Sequence, residues 1–138
     1  MKVDGGVGWD LATVAAQAQE LEEMGYSGIT SAETSHDPFL PLAFAAQQTS
    51  RVDLITGIAV AFARTPMILA NIGHDLNAAS NGRFVLGLGS QIRAHITKRF
   101  SMPWSNPAAR MREFILALRA IWANWYHGEA LEFTGKFY

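Results

Sequence analysis

The sequence predicts an α/β protein with a parallel sheet, and two patterns in its 138 residues support this fold class. Short apolar stretches rich in Val, Ile, Leu and Ala alternate with segments whose apolar residues recur every three to four positions. Turn and cap residues separate these stretches in the order βαβαβαβα, which implies parallel strands joined by right-handed crossovers. A doubly wound sheet and a β/α barrel share this order, so the pattern leaves both open.

The first two βα units are predicted from residues 2 to 49. Strands are expected over 2–7 and 27–32. Asp10 is placed to cap the helix between them, and Gly25 is placed to end that helix in a left-handed conformation. Pro41 suits the first turn of a short second helix over 42–49.

The next two units have the same organisation. A third strand is predicted over 53–60, a fourth over 84–88, and an extended piece over 131–138. The helix starts and the turn between these strands are signalled by Thr65-Pro66, Asn81-Gly82 and Asn106-Pro107. Trp122 and Trp125 follow the apolar stripe of the last helix, so we assign them to packing.

Composition excludes several classes of function. With 49% hydrophobic and 17% charged residues, the chain is expected to be one globular domain over 1–138. The 11 basic and 12 acidic residues give a net charge of -1, so neither nucleic acid nor membrane is an expected partner. The chain has no cysteine, no leader and no apolar run of about 18 residues, and we expect a cytoplasmic protein.

Candidate site residues follow the strands, because ligands bind beyond the carboxyl ends of parallel strands. These segments offer a carboxylate, a histidine, aromatic side chains and glycine turns, which together could line a flat cofactor. The segments are 6–9, 33–39, 59–64 and 87–91. Glu33 could act in acid/base chemistry or simply close a strand at the surface. His36 lacks a second histidine at helical spacing, so no metal site is expected.

The 87–91 segment begins like a dinucleotide-binding fingerprint. Ile92 occupies the place of the third glycine, and no helix start follows at once. A plain glycine turn at the end of a strand explains the pattern equally well.

Four stretches of sequence, taken in order and spacing, carry a family resemblance. They are ETSHDPFLPL from Glu33, TGIAVAFARTP from Thr56, GRFVLGLGS from Gly82, and the tail from Met111-Arg112-Glu113 to Gly135-Lys136-Phe137-Tyr138. In these the chain resembles the luciferase-like monooxygenase superfamily, and within it the oxidoreductases that use the deazaflavin coenzyme F420. The resemblance covers essentially the whole chain and favours the barrel. We therefore expect the N-terminal half of a TIM (β/α)8 barrel, since four βα units are half of the usual eight.

The resemblance also implies roles for particular residues. It implies hydride transfer between coenzyme F420 and a small organic substrate, with Glu33 and His36 as catalytic residues and Trp9 and Phe62 as substrate walls. Gly57, Ile58 and Ala59 would back the cofactor ring, with a non-proline cis peptide between Gly57 and Ile58, and Gly89 and Ser90 would contact the cofactor. Two positions depart from the family pattern. Thr34 stands where many relatives have His, and Gln91-Ile92 replaces the Gly-Glu of some sugar-phosphate-oxidising relatives.

Two alternatives stay open at this point. One is an FMN-dependent monooxygenase of the same superfamily. The other is an inactive fragment or assembly module, because a half-barrel leaves unpaired strand edges that favour association, including as a homo-oligomer. In every case strand order 1-2-3-4 is predicted, and Glu33, His36, Phe62 and Ser90 are expected to converge at one sheet edge.

Overall fold

The computed structural model describes residues 1–138, which form two compact units. The first unit comprises Met1–Ala59 and Ile72–Leu88, and the second comprises Val60–Asn71 and Gly89–Tyr138. The strands are β1 Asp4–Gly6, β2 Gly28–Ser31, β3 Asp53–Thr56, β4 Ala59–Val60, β5 Phe84–Val85 and β6 Leu88–Gly89. The α-helices are α1 Val14–Glu23, α2 Phe39–Gln48, α3 Pro66–Ala79 and α4 Pro107–His127. None of these helices is both long enough and apolar enough to span a membrane.

The main sheet has the predicted order. Strands β1, β2, β3 and β5 lie side by side, all parallel, and β4 pairs with β6 in a separate ladder. One row across the main sheet runs through Gly5, Ile29, Leu54 and Phe84. Ile29 and Leu54 pack in one apolar cluster with Ala18 of α1 and with Leu42, Ala45 and Ala46 of α2. Both helices therefore cover the same face of the sheet, as a barrel requires.

The opposite face of the main sheet is more open. Its row runs through Gly6, Thr30, Ile55 and Val85. Thr30 and Ile55 are half-buried, and Val85 is exposed. Side chains alternate between the two faces of a strand, so the rows differ in burial because helices cover only one of them.

Both later strands are shorter than predicted. The predicted strand 53–60 divides into β3 and β4, and the peptide bond between them, Gly57–Ile58, is cis, which confirms that prediction. The predicted strand 84–88 divides into β5 and β6. Gly87 lies between these two strands. The hydroxyl of Thr56, the last residue of β3, donates to the Gly87 carbonyl oxygen and accepts the Gly87 N–H, each at 2.9 Å. A side chain thus takes over the hydrogen bonds that a continuous ladder would have made.

Two helices begin at other residues than predicted, and polar side chains explain both differences. Asp10 does not cap α1 directly: its carboxylate accepts the Ala12 N–H in a preceding turn, and the helix begins at Val14. The second helix begins earlier than predicted, since Asp37 Oδ1 accepts the N–H groups of Phe39 and Leu40. Gly25 ends α1 with a positive φ of 87°, as predicted.

The remaining start and turn signals are confirmed. Asn81 and Gly82 both have positive φ, and Thr65 Oγ1 accepts the Ile68 N–H at the start of α3. Helix α4 begins at Pro107, directly after Asn106.

The linker between α2 and β3 is held from two sides by charged residues of the first unit. The buried carboxylate of Glu22 in α1 accepts the backbone N–H groups of Ser50, Arg51 and Val52. Burial alone would raise the pKa of Glu22, but these N–H groups and the Arg51 charge outweigh it, so the pKa lies below its ordinary value. The Arg83 guanidinium donates to the carbonyls of Thr49 and Val52 at 2.9 and 2.8 Å.

The second unit is organised by α4. Phe114 is fully buried, and Trp122 donates its indole N–H to the Ala70 carbonyl at 3.2 Å, as a packing role requires. Trp125 is exposed, so its assignment to the core was wrong: it lies one turn beyond Ile121, the last buried residue of the stripe, close to the end of α4 at His127. Residues 131–138 form no strand. Instead, the Glu113 carboxylate accepts the N–H groups of Lys136, Phe137 and Tyr138.

Candidate active site

A cleft at the carboxyl ends of β1 and β2 contains two of the predicted site residues. Trp9 and His36 stack with ring centroids 4.2 Å apart and planes inclined by 10°. The cleft is lined by Val7, Gly8, Trp9, Ser31, Ala32, Thr34, His36, Asp37 and Pro41. Trp9 is exposed and His36 half-buried, so both rings are accessible to a small molecule.

Two polar contacts hold the Trp9–His36 stack in place. The Ser35 hydroxyl lies 3.0 Å from His36 Nε2. Gln17 of α1 accepts the Gly8 N–H at 3.0 Å and so fixes the loop that carries Trp9. His36 is thereby oriented by an aromatic face on one side and a hydroxyl at one ring nitrogen.

Glu33 lies two residues after β2 and is buried. Its side chain does not line the cleft, whereas the neighbouring Thr34 does. The Glu33 N–H donates to the Ile58 carbonyl at 3.3 Å. This hydrogen bond joins the segment after β2 to the cis peptide, which gives the Glu33 backbone a structural role. The catalytic role of its side chain stays a prediction.

The Gly57–Ile58 segment presents backbone to open space. Gly57 is exposed and donates its N–H to the Ser31 carbonyl at 2.8 Å, while the Ala59 N–H donates to the Gly87 carbonyl at 2.8 Å. A β-carbon added to Gly57 would meet Thr30 Cβ at 3.7 Å, and nothing closer. A flat group can therefore approach the Gly57 backbone, whereas Ala59 is fully buried and has no surface of its own.

The other predicted site residues belong to the second unit. Phe62 is fully buried, with Trp104 in edge contact at 5.9 Å and the Arg110 guanidinium 4.4 Å above its ring. These contacts give Phe62 a packing role, and its role as a substrate wall stays a prediction. Gly89 ends β6, and the half-buried Ser90 donates its hydroxyl to the Gln91 carbonyl at 3.3 Å. Convergence of Phe62 and Ser90 with Glu33 and His36 also stays a prediction.

Comparison with known proteins identifies the family. The sequence model for luciferase-like monooxygenases matches residues 2–138. The chain belongs to this family. An uncharacterised protein of Mycobacterium tuberculosis is 59% identical over all 138 residues, which are 41% of that protein's length. This luciferase-like chain thus spans about two fifths of the length of that relative.

One relative and two solved structures describe what similar proteins do. A second M. tuberculosis protein, provisionally named a coenzyme F420-dependent oxidoreductase, is 34% identical over 103 residues, covering 74% of this chain and 30% of that protein. The monooxygenase RslO1 of Streptomyces bottropensis superposes with a TM-score of 0.85 at 26% identity, over 100% of this chain and 46% of RslO1. A Baeyer–Villiger monooxygenase of Pseudomonas putida, solved with FMN, superposes with a TM-score of 0.79 at 20% identity over 93% of this chain and 38% of that one. The proteins similar to this luciferase-like chain thus include one provisionally named for F420 and one solved with FMN, and they share the barrel fold.

The sequence did not predict the two residues of this luciferase-like chain that position His36 and the loop of Trp9. Ser35 and Gln17 hold His36 and the Trp9 loop, and neither lies in a motif with a recognisable spacing. Ser35 could have been suspected because it precedes His36 in a polar loop. Gln17 carried no signal, since its contact partner is nine positions away across a turn. No group of three His, Cys, Asp or Glu side chains in the chain is arranged to hold a metal ion.

Proposed function

We propose that the intact protein is an oxidoreductase that transfers a hydride between coenzyme F420 and a small organic substrate. The observation that carries this is the open backbone face at Gly57, which the hydrogen bonds of the Gly57 and Ala59 N–H groups hold in place and which has room for a flat ring. Family membership and the 34% identity to a protein provisionally named F420-dependent support it. The remaining part of a barrel would complete the site, as this chain covers 41% of a relative.

The cofactor would supply the hydride chemistry, and the chain would supply binding surface and orientation. Gly57 and Ile58 would back the ring, because glycine leaves the ring face free of a side chain. The buried Ala59 would support them through its hydrogen bond to Gly87. Gly89 and Ser90 would contact another part of the cofactor.

Substrate chemistry is assigned to the cleft. In the oxidising direction the substrate would lose a hydride to the cofactor and a proton to His36, and reduction would reverse both transfers. His36 suits this role because it is accessible and oriented by Trp9 and Ser35. Trp9 would supply an apolar wall. Glu33 is the second candidate for proton transfer, and its burial would make it the more sheltered of the two.

An FMN-dependent monooxygenase is the second candidate function. It is favoured by the superposition of the whole of this chain on 46% of RslO1, which is a monooxygenase, at 26% identity. The Gly57 face would serve a flavin ring equally well, so the cofactor is what separates the two functions.

Cofactor titration separates them. Binding of coenzyme F420 and of FMN to the intact protein should be measured separately by fluorescence, with F420 expected to bind more tightly. Gly57→Phe should abolish binding, since the ring of Phe would fill the open face. Gly57→Ala is the matched control, because its β-carbon makes only ordinary contact with Thr30. Tighter binding of FMN would support the monooxygenase, and unchanged binding in Gly57→Phe would mean that the ring lies elsewhere.

A His36→Gln variant tests the proton-transfer role. It should retain cofactor binding and lose turnover by about a hundredfold or more, which is the usual contribution of general acid/base catalysis. Ser35→Ala should have a smaller effect in the same direction. Turnover unchanged in His36→Gln would move the role to Glu33.

A further inference from the structure

The open backbone face at Gly57 is bonded on both of its sides to one residue, Gly87. Thr56 comes directly before Gly57, and its hydroxyl donates to the Gly87 carbonyl oxygen and accepts the Gly87 N–H, each at 2.9 Å. We call this pair of hydrogen bonds the Thr56 clamp. Ala59 follows Ile58, and its N–H donates to the same carbonyl oxygen at 2.8 Å. The segment between Thr56 and Ala59 is therefore fixed at both ends by a single acceptor.

The Thr56 clamp is buried and its two backbones are close together. Thr56 is only 1% exposed. A β-carbon on Gly87 would overlap the Thr56 carbonyl oxygen, so a larger residue than glycine would push the two segments apart. Regular pairing of β3 with β5 ends one residue earlier, at Ile55 and Val85. Beyond this point the Thr56 side chain joins the two segments, which requires a group that both donates and accepts, as a hydroxyl does.

The edge of the Gly57 face that adjoins β2 is held by backbone groups. The Gly57 N–H donates to the Ser31 carbonyl at 2.8 Å, and the Ile58 carbonyl accepts the Glu33 N–H at 3.3 Å. Bonds between backbone groups persist whichever side chains the residues carry. The Thr56 clamp differs from them, because a single substitution can remove it without changing the backbone.

The Gly57 face is thus a backbone surface that is held in place before a ligand arrives. A preformed surface binds more tightly than one that must be ordered on binding, since ordering costs free energy. We propose that Thr56 is a positioning residue for the cofactor ring, and that its clamp on Gly87 keeps the Gly57 face where the ring stacks. This inference rests on the proposed function in that the ring lies on Gly57, and it applies to a deazaflavin and a flavin alike.

Removing the hydroxyl without changing the shape of the side chain tests the Thr56 clamp. Thr56→Val in the intact protein should bind the cofactor about tenfold more weakly, because the released face must be ordered by the ring. Thr56→Ser retains a hydroxyl that can make both hydrogen bonds, so it should bind as tightly as the unaltered protein. Fluorescence titrations with coenzyme F420 and with FMN, performed separately, measure these affinities.

Thr49 provides a matched control for a merely structural effect. Its hydroxyl is also buried, donates to the Ala45 carbonyl at 2.8 Å and accepts a guanidinium N–H of Arg83 at 3.0 Å. Thr49 precedes β3, whereas Thr56 is the last residue of that strand. Thr49→Val should therefore lower stability in urea as Thr56→Val does, yet leave cofactor affinity unchanged. Equal loss of affinity in the two variants, or full affinity in Thr56→Val, would overturn the proposal.

Hydrogen exchange of the unliganded protein keeps the proposal testable if Thr56→Val does not fold. The N–H groups of Gly57, Ala59 and Gly87 should exchange as slowly as those of the β2–β3 ladder, both in the unaltered protein and in Thr56→Ser. Exchange that becomes slow only when cofactor is added would overturn the proposal, because the face would not be preformed.

Failure of the proposed function has a different signature. Tight binding of FMN alone, weakened in Thr56→Val, would reject coenzyme F420 and support the Thr56 clamp. Binding of coenzyme F420 that Thr56→Val does not weaken would reject the clamp and leave the proposed function standing. If the intact protein binds neither cofactor, both proposals are wrong.

Discussion

Two segments of this chain are held by the same polar device, one in each compact unit. In the first unit, the Glu22 carboxylate accepts the N–H groups of residues 50–52, and the Arg83 guanidinium donates to carbonyls of the same linker. In the second unit, the Glu113 carboxylate accepts the N–H groups of residues 136–138, and the Arg110 guanidinium donates to the Tyr138 hydroxyl. Each pair supplies an acceptor for backbone donors and a cation for oxygen atoms.

The two devices differ in burial and in what they lead to. Glu22 is buried, and its linker runs directly into β3, where Leu54 belongs to the apolar cluster. Glu113 is less buried, and its segment enters no sheet. A buried polar group left without partners costs far more than an exposed one, because water replaces the lost partner only at the surface. The first device should therefore support the whole unit, and the second should order only its own segment.

The largest effect is expected from Glu22→Ala. It leaves the N–H groups of Ser50, Arg51 and Val52 without an acceptor, and we expect a loss of about 3 kcal/mol in the free energy of unfolding. Urea denaturation of the intact protein measures this loss. Glu23→Ala is the matched control, since Glu23 is exposed and its carboxylate only accepts the Gln19 side-chain N–H at 3.2 Å. An equal loss in both variants would contradict the comparison.

A somewhat smaller loss is expected from Arg83→Lys. A lysine keeps the positive charge but cannot reach Ser80, Thr49 and Val52 at the same time, as the planar guanidinium does. We expect a loss of about 2 kcal/mol, measured by the same denaturation. Arg119→Lys, at an exposed site, should leave stability unchanged. If Arg83→Lys also leaves it unchanged, charge alone holds the linker and the geometry of the guanidinium is irrelevant.

These two residues also show how far the sequence could predict the fold. The helix starts at Thr65-Pro66 and Asn106-Pro107 and the glycine turn at Gly25 depend on neighbours within a few positions, and they were predicted. Strand order pairs distant segments, and it was predicted through the family resemblance that favoured the barrel. Glu22 contacts residues 28 to 30 positions away. Such a contact exists only once α1 and α2 are packed together, so no local pattern announces it.

The same limit applies to the candidate site. His36 and Trp9 were expected near the strand ends, and the structure brings their rings together at 4.2 Å. Their stacking depends on the loop held by Gln17, a contact that the spacing of residues does not encode. The interruption of β3 at Gly57 was predicted through the family resemblance and not through periodicity, because an apolar run reads as one continuous strand.

The pH dependence of stability should distinguish the two carboxylates. The folded-state pKa of Glu22 lies below its ordinary value of 4.5, so the unfolded chain binds the proton first as pH falls. Its contribution is then fully present above about pH 5 and is lost as pH drops through the folded-state pKa. Glu22→Gln should flatten the stability profile below about pH 5 more than Glu113→Gln does, although the pKa of Glu113 is also lowered. Denaturation at a series of pH values measures both slopes, and equal flattening would show that burial makes no difference.

The smallest effect, confined to the second device, is expected from Gly135→Ala. A β-carbon on Gly135 would overlap the Glu113 carboxylate, which must then move away from the N–H groups that it accepts. The side chain of Glu113 is flexible and partly exposed, so it can move at little cost to the rest of the unit. Amide hydrogen exchange at Lys136, Phe137 and Tyr138 should become faster, as it should in Glu113→Ala, while the free energy of global unfolding stays unchanged. The neighbouring Thr134→Ala adds no atom near Glu113 and serves as the control. Exchange that is equally slow in Gly135→Ala would mean that Glu113 does not order this segment, and a global loss of stability would mean that the second device supports its unit as the first does.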